Sequence, residues 1–253
     1  MRTDGSRWLL RHAPWTYSVL PVLLLWEAVG RLGLFVFIPP LSQVTAAAIS
    51  LAGGGQLWVE GLRTIGSVLV GFGLAAAAGT VLGVLMARHR LVEAAFGHYV
   101  DALQNIPAAA TVPVLVLLLG LGRTSIATVT FVFAFPAITI NVYAGVKHVD
   151  PRLVQMARSF GAGEWALVRR VILPAALPLA LAGMRLGVGR AVNGAVLGEM
   201  MISSIGLGGL LMYYGGSFKV RELYALTLLV VGIAGTLMAI VQVAEKRAGR
   251  WIR

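Results

Sequence analysis

The chain has 253 residues, of which 58% are hydrophobic and only 12% charged. Soluble domains run at about 45–50% apolar and about 25% charged, so this composition excludes an ordinary soluble fold and describes an all-α integral membrane protein. With no cysteine, disulfides and thiolate metal sites are excluded, and the four histidines (His12, His89, His98, His148) lack metal-site spacing, leaving the formal charge of +11 to be explained.

Residues 1–14 are polar and basic, with Arg2, Arg7 and Arg11, and read as a cytoplasmic flank rather than a signal peptide. A first span is expected over Trp15 to Phe37, ended by Ile38-Pro39-Pro40. Inside it Glu27 and Arg31 are four apart and can pair with each other. Residues 41–63 read as a loop with a short helix over Val44–Leu51 and a Gly53-Gly54-Gly55 break. The second span is expected over Thr64 to Ala87, with Gly79 and Gly83 at the spacing that lets helices approach closely. Glu93 to Gln104 reads as an interfacial helix leading into a third span, Asn105 to Leu119, which contains Pro107 and Pro113. Gly120-Leu121-Gly122-Arg123 is a tight turn, and a fourth span follows over Ile126 to Val146 with Pro136 inside it.

Asp150 to Pro174 is the longest polar interval. Asp150 can cap a helix and Pro151 suits its first position, where no amide hydrogen is needed. Leu153, Met156, Ala157 and Phe160 follow helical spacing and share one face, with Arg152, Gln155, Arg158 and Ser159 on the other. Gly161 can take the left-handed conformation that stops the helix. A second short helix carries Trp165, Val168 and Ile172 on one side and Glu164, Arg169 and Arg170 on the other, and Leu173-Pro174 is expected to close it. The fifth span then runs from Pro174 to Met201, with the small pairs Gly183/Gly187 and Gly194/Gly198 and the polar residues Arg185, Arg190, Asn193 and Glu199. A glycine-rich stretch over 202–221, including Ser203-Ser204 and Gly206-Leu207-Gly208, reads as an outer loop or a short re-entrant helix. The sixth span is Glu222 to Val243.

With the N-terminus inside, inner flanks hold Arg2, Arg7, Arg11, Arg88, Arg90, Lys147, Arg152, Arg158, Arg169, Arg170, Lys246, Arg247, Arg250 and Arg253. Outer loops hold only Arg63, Arg123, Lys219 and Arg221. That bias follows the positive-inside rule, places the Asp150–Pro174 loop in the cytoplasm and explains the net charge without nucleic acid.

The loop's spacing resembles a signature of ABC importer permeases: Glu-Ala-Ala, three residues, Gly, nine residues, Ile, one residue, Leu-Pro. Here Gln155-Met156-Ala157, Gly161, Val171, Leu173 and Pro174 fall at those positions. Gln155 replaces the glutamate, removing a charge while keeping a hydrogen-bonding group, and Met156 adds bulk. Leu103-Gln104-Asn105-Ile106-Pro107, Pro136-Ala137-Ile138 with Asn141, Tyr143-Ala144-Gly145-Val146, Gly183-Met184-Arg185, Glu199 and Gly206-Leu207-Gly208 are similar to the nitrate, sulfonate, taurine and bicarbonate branch of the binding-protein-dependent family. The resemblance implies one transmembrane domain over 1–253, with six helices, a five-helix type I importer core over 60–243, and a cytoplasmic coupling loop over 150–173. It implies a bacterial cytoplasmic membrane and cytoplasmic termini. The implied partners are a second copy of the permease, two ATP-binding cassette subunits that hold ATP and Mg, and an extracytoplasmic substrate-binding protein. The loop residues implied to meet the ATPase are Leu153, Gln155, Met156, Ala157, Phe160, Gly161, Val171, Leu173 and Pro174.

No phosphate-cradling Gly-x-x-x-x-Gly-Lys-Ser/Thr and no nucleophile–base constellation occurs, so catalysis and a bound cofactor are not expected in this chain. A charge at mid-membrane costs about 2.5–3.5 kcal/mol, so it faces water or a partner. Arg185 and Arg190 are five apart, so they point in different directions and cannot both face the same partner: one can line a pathway while the other binds a neighbouring helix, or either can be a structural tie to a carbonyl or a carboxylate on another span. An arginine fork suits an oxyanion. Asn193 and Glu199 are further pathway candidates, with Glu199 at an outer gate or anchoring the glycine-rich stretch. The competing readings are a permease for a non-anionic solute such as a vitamin precursor, an ion-coupled secondary transporter or channel, and a membrane assembly protein with no solute.

Overall fold

The computed structural model describes residues 5–33, 35–202 and 205–249. Arg2, Ser203, Ser204, Arg250 and Arg253 lie outside the described residues, as do the side chains of Arg7, Arg11 and His12. The described residues form α1 (Gly5–Leu32), α2 (Leu41–Gly53), α3 (Gly55–Arg88), α4 (Arg90–Asn105), α5 (Ala108–Leu119), α6 (Arg123–Lys147), α7 (Pro151–Ser159), α8 (Glu164–Ile202), α9 (Gly206–Gly216) and α10 (Val220–Gly249).

Four of these, α3, α6, α8 and α10, are long and apolar enough to cross a membrane, and α4 with α5 makes a fifth candidate bent by 113°. The six spans expected from the sequence are thus met by four or five. α1 has the length, 28 residues, but its apolar run ends at Glu27 and Arg31. Arg31 Nε donates to Glu27 Oε1 at 2.6 Å, and Glu27 also accepts from the Ser42 amide and hydroxyl at 2.9 Å each, hooking the end of α1 onto α2. The expected third span is corrected to a broken one. α5 has 12 residues, about 18 Å of helix against a hydrocarbon core of about 30 Å. Pro107 is the cause: it drives Ile106 out of the helical region, to ψ 131°, and turns the chain.

The α6 span is 56% buried and that of α10 only 6%, so α6 is the central rod and α10 a peripheral one. α3 runs parallel to α6, and α8 runs antiparallel to it. Ala75, Ile138, Val142, Val192 and their neighbours fill the seam between the three. Lipid offers no hydrophobic drive for helices to associate, so close approach and dispersion hold them. The expected small-residue pairs supply it. A Cβ at Gly83 would lie 2.8 Å from the Thr139 carbonyl oxygen, and at Gly79 3.1 Å from Ile138 Cγ2. A Cβ at Gly183 would lie 2.5 Å from that of Asn141, at Gly187 2.6 Å from Ile138 Cγ1 and at Gly194 3.0 Å from Phe133 Cγ. Gly198 alone of these has ordinary room, 3.7 Å.

The second loop helix does not close at Leu173-Pro174. It continues without interruption into the span, giving 39 residues of helix. A π turn over Val168–Ile172 makes this possible, with the Leu173 N–H bonded to the Val168 carbonyl five residues back. In α geometry the Pro174 ring would press on the carbonyl four residues earlier and would give it no N–H; the wider turn just ahead of it provides room.

Candidate functional site

The hairpin between α6 and α8 is built by local rules. The Arg152 amide donates to the Asp150 carboxylate at 2.8 Å, with Pro151 at the first helical position. At the other end Gly161 takes φ +78°. Its N–H donates to the Arg158 carbonyl at 2.9 Å and that of Ala162 to the Ala157 carbonyl at 3.0 Å, the pair of bonds that define a Schellman stop.

This geometry divides the expected docking residues. Leu153, Met156 and Phe160 point outward, Phe160 84% exposed, with Trp165 alongside at 75%. Gln155, Gly161, Leu173 and Pro174 are exposed too. Ala157 instead faces inward with Val154 and Val171, packed on a buried cluster of Val146, Leu167, Ile172 and Ala176. Val84 and Ala87 of α3 join the same cluster, so the hairpin rests on the ends of α3, α6 and α8 together. Glu164 reinforces the seat by accepting from Arg158 at 2.7 Å and from Arg88 at the end of α3. Sequence patterns did not reveal this bracket, because Arg88 and Glu164 are 76 residues apart.

The pathway candidates separate into three surroundings. Arg185 Nη1 is paired with Glu245 of α10 at 2.9 Å, a tie between helices. Arg190 and Asn193 line a cleft of about 640 Å³ that Gln104, Ile106, Thr111 and Phe133 also border. Arg190 is exposed and, among the described residues, has no carboxylate within ion-pair distance. Gln104 and Ile106 belong to the run Leu103–Pro107, so one signal for this cleft was legible, whereas Thr111 carried none.

Glu199 is not in the cleft. It is 1% exposed and sits at the start of α9. Its Oε2 accepts from the Thr64 hydroxyl at 2.8 Å and the Gly208 amide at 3.0 Å. The Leu207 amide donates to Thr64 Oγ1 at 2.9 Å, and the Gly206 amide to Glu60 Oε2 at 2.6 Å. The first three amides of α9, orphans by the geometry of any helix, are thus satisfied by α3 and α8, and the two carboxylates complement the positive end of its dipole. A Cβ at Gly206 would overlap the Glu199 carboxylate, and one at Gly208 the Val196 carbonyl, so the glycines admit this contact. Glu199 is thus hydrogen-bonded directly to the glycine-rich stretch.

Residues 79–253 match the family described as binding-protein-dependent transport system inner membrane component. The chain belongs to that family: it is the multi-pass permease component of an ABC importer. Such a permease is non-catalytic and carries no cofactor of its own, and it works with a separate ATPase and a binding protein. The chain is 32% identical over 249 residues to the riboflavin transport system permease protein RibX of Chloroflexus aurantiacus, covering 96% of this chain and 93% of that one. It is 29% identical to the putative aliphatic sulfonates transport permease protein SsuC of Escherichia coli, over 99% and 96% of the two chains. To the taurine transport system permease protein TauC of the same organism it is 27% identical, over 97% and 92%. The fold resembles that of an inward-facing MetNI methionine ABC transporter, with a TM-score of 0.61 and 23% identity over 78% of this chain and 96% of that one.

Proposed function

We propose that this permease moves a small anion-like solute (a sulfonate, taurine, nitrate or similar) into the cell by alternating access. The observation that carries the solute class is Arg190: a guanidinium deep in a membrane helix, exposed to a cleft and without a carboxylate partner among the described residues. Such a charge is tolerated where water or a counter-ion reaches it, and its planar fork matches an oxyanion. Asn193, Gln104 and Thr111 add neutral hydrogen-bonding groups on the same wall. Arg185 serves as a helix tie and Glu199 as the α9 anchor, both outside the solute's path.

Two copies of the chain face each other, two ATPase subunits sit under the hairpins, and a binding protein delivers solute from the opposite side. Leu153, Met156 and Phe160 form the apolar centre of the docking face. Arg152, Arg158, Arg169 and Arg170 ring it, a fit for a groove with an apolar floor and an acidic rim. With α1 as an outlying sixth crossing, both termini lie on the hairpin side, in the cytoplasm of a bacterial inner membrane.

A second reading has a specific support. The cleft is lined mostly by apolar side chains, and the relative at 32% identity is a riboflavin permease, so a planar vitamin-like solute also fits. One experiment tests both. The complex, reconstituted with its ATPase and binding protein, is screened for solutes that stimulate ATP hydrolysis, and Arg190→Ala is compared with wild type. Loss of anion uptake with assembly and basal ATP hydrolysis intact supports the anion path. Stimulation by neutral flavin-like solutes alone, undiminished in Arg190→Ala, overturns it.

A further inference from the structure

A second cleft, about 830 Å³, runs down the flank of the molecule between α3 and α6, at the ends of these helices opposite the hairpin. It shares no residue with the cleft that holds Arg190. Because α3 and α6 are parallel here, the order of lining residues along each is an order of depth. Arg63 and Arg123 stand at the outer rim, Ser67, Thr124 and Thr128 come next, and Val70, Leu74, Ala78 and Phe131 lie deeper. The polar lining is thus confined to the outer part, where Leu62 and Ala127 also contribute apolar surface, and the deeper part is apolar throughout.

The length of that gradient is informative. Arg63 and Ala78 are fifteen residues apart on one continuous helix, about 22 Å at 1.5 Å per residue. A bilayer is about 40–45 Å thick including its headgroups, so the cleft matches the depth of one leaflet. Gly66, whose Cβ position is open space, and Ala127 leave the trough hollow, while Gly71 brings α3 against Thr130 behind it. Charge points the same way. Arg63 is held by Glu60 at 2.8 Å, but Arg123 is exposed and, among the described residues, has no carboxylate partner. A guanidinium at headgroup depth above an apolar slot is complementary to a phosphate above an acyl chain.

We propose that this flank is a binding site for one phospholipid of the leaflet opposite the hairpin, its phosphate on Arg123 and the rim hydroxyls and one acyl chain along Val70, Leu74 and Phe131. The site needs only that the chain is embedded in a bilayer and is independent of the solute and of the ATPase.

The test uses the full chain purified in a neutral detergent and depleted of lipid. Its thermal unfolding is followed while dioleoyl phosphatidylglycerol is added, with dioleoylglycerol, which lacks the phosphate, as the control. The expected result is a saturable rise in melting temperature with phosphatidylglycerol and none with dioleoylglycerol. Arg123→Gln raises the half-saturating concentration by about tenfold, the loss of one charge-assisted contact. Gly66→Leu fills the trough, leaves the charges in place and abolishes the saturable rise; its open Cβ position makes it compatible with folding, which its own melting curve checks. An equal response to dioleoylglycerol, or titrations unchanged in both variants, overturns the site. A second copy of the chain as the true occupant would also overturn it. It would show as oxidative dimers of the single-cysteine variant Val70→Cys, which the otherwise cysteine-free chain makes unambiguous.

Discussion

Replacing Glu199 by Ala removes the acceptor that joins α8 to the first turn of α9. The Gly208 amide is left without a partner in a site where Glu199 is 1% and Thr64 2% exposed. The Thr64 hydroxyl is less affected, since it also donates to the Glu60 carbonyl at 3.2 Å. One orphaned buried donor costs about 1–3 kcal/mol, and the lost side-chain volume adds about 1 kcal/mol. Hydrogen bonds measured inside membranes average only about 0.6 kcal/mol, which pulls the sum toward its lower end, near 2 kcal/mol. For a chain of this size each kcal/mol moves the melting temperature by about 2–4 °C, so a fall of roughly 4–8 °C is expected. The assay is thermal unfolding of the purified chain in micelles, with limited trypsinolysis at Lys219 and Arg221, just beyond α9, as a local report. Glu199→Gln keeps an acceptor oxygen for both donors and should recover most of the loss. Melting and cleavage of Glu199→Ala indistinguishable from wild type would show that α9 does not depend on this carboxylate.

Phe160→Asp places a charge at the most exposed point of the hairpin's apolar face. It should leave melting unchanged and reduce co-purification of the ATPase by about tenfold or more, the loss of one buried aromatic anchor. Gly161→Val forces a β-branched residue to φ +78°, which costs about 1–2 kcal/mol, and should weaken ATPase binding through a frayed hairpin while all contacting side chains remain. Gly183→Leu drives a side chain into Asn141 and should lower the chain's melting temperature by several degrees, as overpacking by about 1–3 kcal/mol predicts. Arg185→Ala breaks the tie to Glu245 and should lower stability, with solute specificity of the assembled complex unchanged, a contrast that solute competition assays would check.

The parts of the fold readable in advance are those set by near neighbours. Asp150, Pro151 and Gly161 fix a helix by local geometry, and the i, i+4 glycine pairs announce close helix contacts whatever their partner. Glu27 and Arg31 pair as their spacing requires. The same local logic placed Ala157 with the outward face, although a residue that small fits equally well against Val84 and Ala87. Pro174 reads as a stop because proline breaks an α turn; a π turn five residues long removes the conflict. Pro107 reads as a kink within one span, but the sharp bend it produces leaves too few residues on its far side to cross alone. The anchor of α9 was out of reach for another reason. Thr64 and Glu199 are 135 residues apart and Glu60 and Gly206 are 146 apart, so no window on the sequence contains both ends of either bond. Arg185 and Arg190 look alike in sequence; in the fold a carboxylate on α10 reaches Arg185, while Arg190 faces the cleft.

The widened turn at Val168–Ile172 has a geometric consequence for the machine. Each residue of an α-helix advances the chain by about 100° of azimuth, so one extra residue accommodated in a single turn decides which compass direction the hairpin elbow faces relative to its membrane rod. Trimming a residue from this stretch would leave every contact surface chemically intact while swinging the elbow about a quarter of the way around the shaft. In the proposed complex, torque from a motor below would then arrive at the wrong bearing.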